Sequence, residues 1–465
     1  MLARLNYWVE RLFNLAVSRG APGSDRERRS RSIVRGTAAA LVARGIGSLT
    51  GLITVPLTVR YLGGERYGAW MTISSVLVFL GFGDFGLASS LTNALGRAFG
   101  EDDRESARRY VTTTLVALSV VAILFVVAGV TFAAQLAHIM FPNIDDSLLR
   151  GEIVPALIIA LSIFALNFPL LVTNRVLAAY QENATANLWI MASSVANLIG
   201  ILIVIAFRGG LPALLLGSAG SGLLVNAISS VWLFGWHKRW LAPARSAADL
   251  QFARELFSTS WKFFIANTAW LINSQTDNII IAHYLGPSQV TPYSVTFRLF
   301  AYATLIQGLI VPSIWPAYTE AAARKDFDWI RGTFRKNVKF ALLIVVPLVL
   351  VLVIFGQQVI KFWAGATAVP PFPMMIWMAV WNIMLSYLFV SGALLQALGK
   401  ITGLTIYGIL TATLNVGLSI IFVQIYGISG VIAATVIAYV AGSCAPTLLQ
   451  VRSVLQNLEP ASTSS

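Results

Sequence analysis

Tyr61-Leu62-Gly63-Gly64 ends one long apolar run, and Tyr284-Leu285-Gly286-Pro287 ends another about 220 residues later. Within roughly ten residues each phrase meets small or aromatic residues that reopen an apolar run. These are Tyr67-Gly68-Ala69 in the first case and Pro292-Tyr293-Ser294 in the second. The echo continues downstream. Asn197 precedes Gly209-Gly210-Leu211-Pro212, Asn415 precedes Gly427-Ile428-Ser429-Gly430, and Ala94-Leu95-Gly96-Arg97 is answered by Ala322-Ala323-Arg324-Lys325. Self-similarity at half the chain length marks a duplication. Membrane carriers use duplicated apolar segments to build two bundles that rock about a shared site.

Composition supports the membrane reading. The 465 residues are 57% hydrophobic and 11% charged, with a mean hydropathy of +0.74. A soluble domain carries about 25% charged residues. The net charge of +13 raises the question of nucleic acid. The Lys and Arg residues, however, sit in short segments between apolar runs, as topology selection requires, and not on one folded basic face. The single cysteine, Cys444, excludes an internal disulfide and a multi-cysteine metal site. His138, His237 and His283 are scattered, no phosphate-binding glycine loop is present, and Asp145-Asp146 reads as a solvated loop pair. No catalytic or metal-binding constellation emerges, so the chain is read as a non-enzyme.

Twelve apolar stretches can cross about 30 Å of hydrocarbon. They lie near 33–60, 67–95, 110–134, 153–178, 186–207, 211–235, 257–283, 289–317, 338–356, 371–396, 401–425 and 428–451. The expected organisation is a basic amphipathic arm (1–32), a six-helix bundle (33–235), a linker (236–256), a second six-helix bundle (257–453) and a tail (454–465). Basic residues alternate between connections, with roughly five positives on one side for each on the other, which puts both termini in the cytoplasm. With six spans per half, the repeats are parallel and related by an axis along the membrane normal.

Val55–Arg97, VPLTVRYLGGERYGAWMTISSVLVFLGFGDFGLASSLTNALGR, resembles the first-hairpin signature of Wzx-type polysaccharide flippases. These belong to the multidrug/oligosaccharidyl-lipid/polysaccharide exporter superfamily. The Tyr-Leu-Gly turn, the aromatic-Gly pair after it and the Asp-Phe-Gly-Leu step at Asp84–Leu87 carry the likeness. Gln275-Thr276-Asp277-Asn278 and Pro316-Ala317-Tyr318 carry it into the second half. The resemblance implies an all-α, MATE-like fold of two six-helix bundles in the bacterial inner membrane. It also implies alternating-access translocation of an undecaprenyl-pyrophosphate-linked glycan, with polysaccharide-synthesis proteins as partners. The competing readings are a cation-coupled multidrug exporter and a non-transporting membrane scaffold of a polysaccharide-synthesis complex.

Five ionisable residues fall inside spans: Arg44, Asp84, Lys262, Asp277 and Arg298. Intramembrane charges are costly, so each should face a cavity or a partner. Arg44 and Asp84 are expected at one depth, and Asp277 and Arg298 at another. Shifting by the repeat places Asn267 opposite Arg44 and Gln307 opposite Asp84, so the charges break the symmetry that the glycines keep. Two roles stand open. In the first, Arg44 and Arg298 bind the pyrophosphate, while Asp84 and Asp277 hold them or take a coupling proton or sodium ion; Lys262, Asn267 and Gln307 are secondary cavity candidates. In the second, the charges form two structural ion pairs. Trp377, Trp381 and Tyr387 either stack on sugars or form an interfacial belt.

Overall fold

The computed structural model describes residues 25–80, 87–142, 144, 146–244 and 275–457. Among these every regular element is helical. In hydrocarbon only a helix satisfies its backbone donors and acceptors within one segment. Helix α1 (Asp25–Leu80) carries the first span and the start of the second, with a turn at Gly63. Helices α2 (Leu87–Gly100), α3 (Arg104–Met140), α4 (Ser147–Ala179), α5 (Asn183–Ala206) and α6 (Leu211–His237) complete the first half. A helix over 275–285, α7, is the described part of the seventh span. It is followed by α8 (Pro287–Ala323), α9 (Phe327–Trp363), α10 (Phe372–Ala397), α11 (Ile401–Tyr439) and α12 (Ala445–Asn457). Helix α11 turns at Gly427 and leads through Val440–Cys444 into α12. Among the described residues, eight helical stretches are long and apolar enough to cross a membrane, two of them containing a turn. Phe207 and Phe362 are more than four-fifths exposed. This is the outward apolar surface of a multi-pass membrane protein. The expected amphipathic arm lies mostly outside the described residues.

The duplication is written in the backbone. Gly63 (φ 76°, ψ 174°) and Gly286 (φ 85°, ψ 162°), the glycines of the two Tyr-Leu-Gly phrases, share one conformation. A Cβ disfavours it, which explains glycine at both places. Six further left-handed residues pair under the same shift of roughly 220 residues: Asp102 with Lys325, Gln181 with Gly399, and Arg208 with Gly427. The third span of each half also starts alike. Asp103 accepts from the Ser106 amide (3.0 Å) and Asp326 from the Trp329 amide (3.1 Å). Each such N-cap contributes about 1 kcal/mol.

Two compact units result. Among the described residues the first comprises 25–54, 80, 87–135 and 151–244, and the second 55–79, 136–142, 144, 146–150 and 275–457. In the first, Leu91, Leu95, Val111 and Leu118 are buried with Phe168 and Val172, and Phe125 meets Phe168 edge-on at 5.4 Å. Helices α5 and α6 touch at backbone level: a Cβ on Gly200 would lie 1.9 Å from the Gly217 carbonyl oxygen. Small residues permit such approach where apolar burial gives helices no reason to associate. In the second unit, Tyr318, Ile330, Phe334 and Leu394 form a buried cluster.

The units do not coincide with the expected bundles 33–235 and 257–453, because 55–79 and 136–150 pack with the second half. Specific bonds account for this. The Thr291 hydroxyl donates to the Gly64 carbonyl, Arg60 donates to the Phe362 carbonyl (2.7 Å), and a His283 ring nitrogen meets the Ile139 carbonyl (2.5 Å). A Cβ on Gly68 would lie 1.7 Å from the Pro287 carbonyl oxygen, so α1 can reach the start of α8 only through glycine. The two Tyr-Leu-Gly turns therefore meet inside the second unit.

Candidate functional site in the second unit

The turn contact at Gly68 brings the part of α1 that follows Gly63 alongside α7 and α8. The three helices line a cavity of about 300 Å³. Helix α1 supplies Met71, Ser74 and Ser75, α7 supplies Gln275, Asp277 and Asn278, and α8 supplies Tyr293, Phe297 and Arg298. Residues 71, 74, 75 and 78 recur at helical spacing on one face, as do 294, 297, 298 and 301. The Ser74 and Ser75 hydroxyls donate to the carbonyls of Trp70 and Met71, and Asn278 Nδ2 donates to Ser75 Oγ (2.9 Å). Phe297 lies between Tyr293 and Trp381, with centroid distances of 6.4 and 5.1 Å.

Asp277 and Arg298 thus line the same cavity, but they do different things. Asp277 is 7% exposed; its Oδ2 accepts from the Tyr293 hydroxyl and from Thr435 Oγ1 (3.4 Å). Among the described residues its buried Oδ1 has no donor. Thr435 Oγ1 also lies 3.0 Å from Asn415 Oδ1, which accepts from Ser419 Oγ at 3.1 Å. The single Thr435 hydroxyl proton serves one acceptor at a time. Asp277 therefore belongs to a buried cluster of oxygen atoms, and its donors are Tyr293 and Thr435, not Arg298. Arg298 is half-buried on the cavity wall, in electrostatic range of Tyr67 and Tyr302. Among the described residues it forms no ion pair.

Arg44 is an exposed residue of α1 in the first unit. Asp84, Lys262 and Asn267 lie outside the described residues. The backbone of Gln307 belongs to α8, but its side chain is outside them. Among the described residues no cluster of His, Cys, Asp and Glu suits a transition metal. Asp146 is structural: its carboxylate accepts from the amides of Leu148 and Leu149 and contacts Arg66 at 3.3 Å. The Leu149 amide leads in holding that carboxyl below its ordinary range, against partial desolvation. Trp381 is buried against Phe297 and so belongs to the aromatic packing of this unit.

Sequence reasoning missed Tyr293, Ser419 and Thr435 as members of the site. The available signal was a pair of polar residues four apart in an apolar span, Asn415 with Ser419. The first half carries the simpler form of the arrangement, in which Asn197 Nδ2 donates to the Ser218 carbonyl at 3.1 Å.

The fold is that of a MATE-like membrane transporter. The inward-facing conformation of a multidrug resistance MATE family transporter of the MOP superfamily matches 92% of this chain and 100% of its own. That match has a TM-score of 0.73 at 15% identity. A family model described as polysaccharide biosynthesis protein matches residues 33–321, and the chain belongs to that family. A putative O-antigen transporter of Salmonella typhi is 22% identical over 62% of this chain and 65% of its own length, so the match spans just under two thirds of that relative. A putative O-antigen export protein of Yersinia pseudotuberculosis is 20% identical over 83% of this chain and 88% of its own length.

Proposed function

We propose that the chain translocates a polyprenyl-pyrophosphate-linked oligosaccharide across the bacterial inner membrane by alternating access, with both termini cytoplasmic. The observation that carries this reading is Arg298, a half-buried guanidinium on a cavity wall of hydroxyls and amides, without an ion pair among the described residues. A guanidinium in that setting offers a planar fork of donors to phosphate oxygens. A cavity of about 300 Å³ suits a diphosphate and its first attachments, while the glycan extends from it. Phe297 and Tyr293 add aromatic faces beside it. An exporter of organic cations would need an accessible carboxylate, whereas Asp277 is buried and already engaged.

The Asp277 cluster is assigned the coupling ion. Carboxylate, amide carbonyl and hydroxyl oxygens are the hard donors that take a proton or a sodium ion. The buried Oδ1 of Asp277, without a donor among the described residues, fits that demand. Asp277, Asn415, Thr435 and Ser419 would hold the ion. Its entry would compete with the Tyr293 and Thr435 hydrogen bonds that join α7, α8 and α11.

The test is polymer export in cells lacking the native gene. Arg298→Gln is expected to abolish export at normal protein level and insertion. Arg298→Lys should restore part of it, since a point charge replaces the fork. Unimpaired export by Arg298→Gln would overturn the assignment.

A further inference from the structure

A second cavity of the same unit, about 500 Å³, lies where α9 begins and α12 ends. Arg331, Arg335 and Arg452 line it together with Phe334, Leu448 and Leu455, and among the described residues no carboxylate lines it. Arg331 is partly engaged: its Nε donates to the Leu455 carbonyl (3.0 Å) and its Nη1 to Asp328 (3.0 Å). Arg335 and Arg452 are exposed, and among the described residues neither forms an ion pair. Leu448, at 48% exposure, continues the cavity wall onto the apolar outer surface.

The internal repeat separates structure from addition. Arg331 corresponds to Arg108, and Arg108 Nε likewise donates to a carbonyl, that of Ala242, at the end of its own half (2.9 Å). That bond is common to both halves and is a structural clamp. Arg335 corresponds instead to Thr112, whose hydroxyl accepts from the Ala244 amide (3.4 Å). Arg452 corresponds to Phe234, which packs on the first unit's core. The first half therefore fills with hydroxyl and aromatic groups the places where the second half carries two additional guanidiniums around a cavity.

We infer that this cavity binds an anionic membrane phospholipid, its phosphate held by Arg335 and Arg452 beside Arg331 and its acyl chains lying along Leu448. Arg335 and Arg452, two guanidiniums without an ion pair among the described residues, complement a phosphodiester beside the partly engaged Arg331, and a wall continuous with the lipid-facing surface accommodates hydrocarbon. The location fits as well. Arg324, Lys325, Lys336 and Lys339 crowd the same helix ends, which marks them as the level of the lipid headgroups. The inference concerns binding alone and does not depend on what the chain transports.

The experiment is native mass spectrometry of the purified full chain in detergent micelles titrated with phosphatidylglycerol. The wild type should retain one lipid. Arg335→Gln with Arg452→Gln should need about 30-fold more lipid for the same occupancy. Lys336→Gln with Lys339→Gln removes the same charge from the same surface outside the cavity and should bind as the wild type does. Equal retention by the Arg335/Arg452 variant would overturn the proposal, as would equal loss in the lysine control. Displacement of the lipid by inorganic phosphate at matching concentration would also overturn it, because the acyl contacts would then contribute nothing. A polyprenyl monophosphate that displaces phosphatidylglycerol at lower concentration would overturn the assignment to bulk phospholipid. Should the double variant not fold, the single Arg335→Gln and Arg452→Gln variants carry the same test.

Discussion

Gly68→Ala adds one methyl group where the second unit has no room for it. The new Cβ would lie 1.7 Å from the Pro287 carbonyl oxygen and 2.6 Å from its carbon. An unstrained carbon–oxygen contact is about 3.3 Å, so the deficit is about 1.6 Å. The opposing group is backbone at the start of α8, and no rotamer change relieves the clash. Overpacking of this kind costs about 1–3 kcal/mol. Alanine in a helix also gains up to about 1 kcal/mol over glycine, so the comparison needs a control that shares the gain. Gly417→Ala supplies it: Gly417 is inside α11 of the same unit, and a Cβ there meets nothing within 4 Å. The difference between the two variants isolates the contact. Thermal unfolding in detergent should rank Gly417→Ala at or above wild type and Gly68→Ala below it. At roughly 2 °C or less per kcal/mol for a chain of this size, the expected gap is a few degrees. A Gly68→Ala midpoint that tracks Gly417→Ala would refute the close approach of α1 to α8, and with it the cavity those helices define.

Tyr293→Phe should destabilise the chain by about 1.5–3 kcal/mol, the range for a hydrogen bond to a charged group, whereas Thr435→Val should cost less, because its shorter bond is to the neutral Asn415 amide oxygen (3.0 Å) and its bond to Asp277 is long, at 3.4 Å; denaturant unfolding of both variants checks the order. Glu182, at the turn between α4 and α5, is pushed up by partial burial, but hydrogen bonds from Lys238 (2.8 Å) and His237 (2.7 Å) outweigh this and hold its carboxyl below the ordinary range. A depressed carboxyl contributes stability that is present above its unfolded pKa and is lost as pH falls through the lower folded value. Wild-type stability should therefore fall more steeply below about pH 5 than that of Glu182→Gln, as read by unfolding across an acid series.

The parts of the fold legible in the sequence were those that rest on local chemistry. Glycine in both Tyr-Leu-Gly phrases reports a left-handed residue because a Cβ is costly there, and the structure has that conformation at Gly63 and Gly286. Asp102, Gln181, Arg208 and Lys325 adopt left-handed φ without glycine, so composition gave no warning of their turns. The twelve-span plan followed from apolar length alone. The assignment of 55–79 to the second unit did not, since it depends on Gly68 meeting Pro287 and Gly64 meeting Thr291 across more than 200 residues. The same limit applies to the site. Asp277 and Arg298 stood out as charges in apolar spans at similar depth, where a pair was expected; both line one cavity, but Asp277 takes its hydrogen bonds from other residues. The donors that Asp277 uses, Tyr293 and Thr435, are ordinary residues whose role is set by which helices pack together. The repeat could align the halves, and it could not show which faces meet.

The most direct test of the account is transport by the purified chain in phospholipid vesicles loaded with a fluorescent polyprenyl-pyrophosphate-linked oligosaccharide. Appearance of the glycan at the opposite leaflet, read by its accessibility to a membrane-impermeant glycosidase, should accelerate with the wild type. It should respond to an imposed proton or sodium gradient in the wild type, and that response should vanish in Asp277→Asn. With Arg298→Gln the rate should fall to that of protein-free vesicles. A wild-type rate equal to that of protein-free vesicles would contradict the central claim, and an undiminished rate with Arg298→Gln would contradict the site assigned to it.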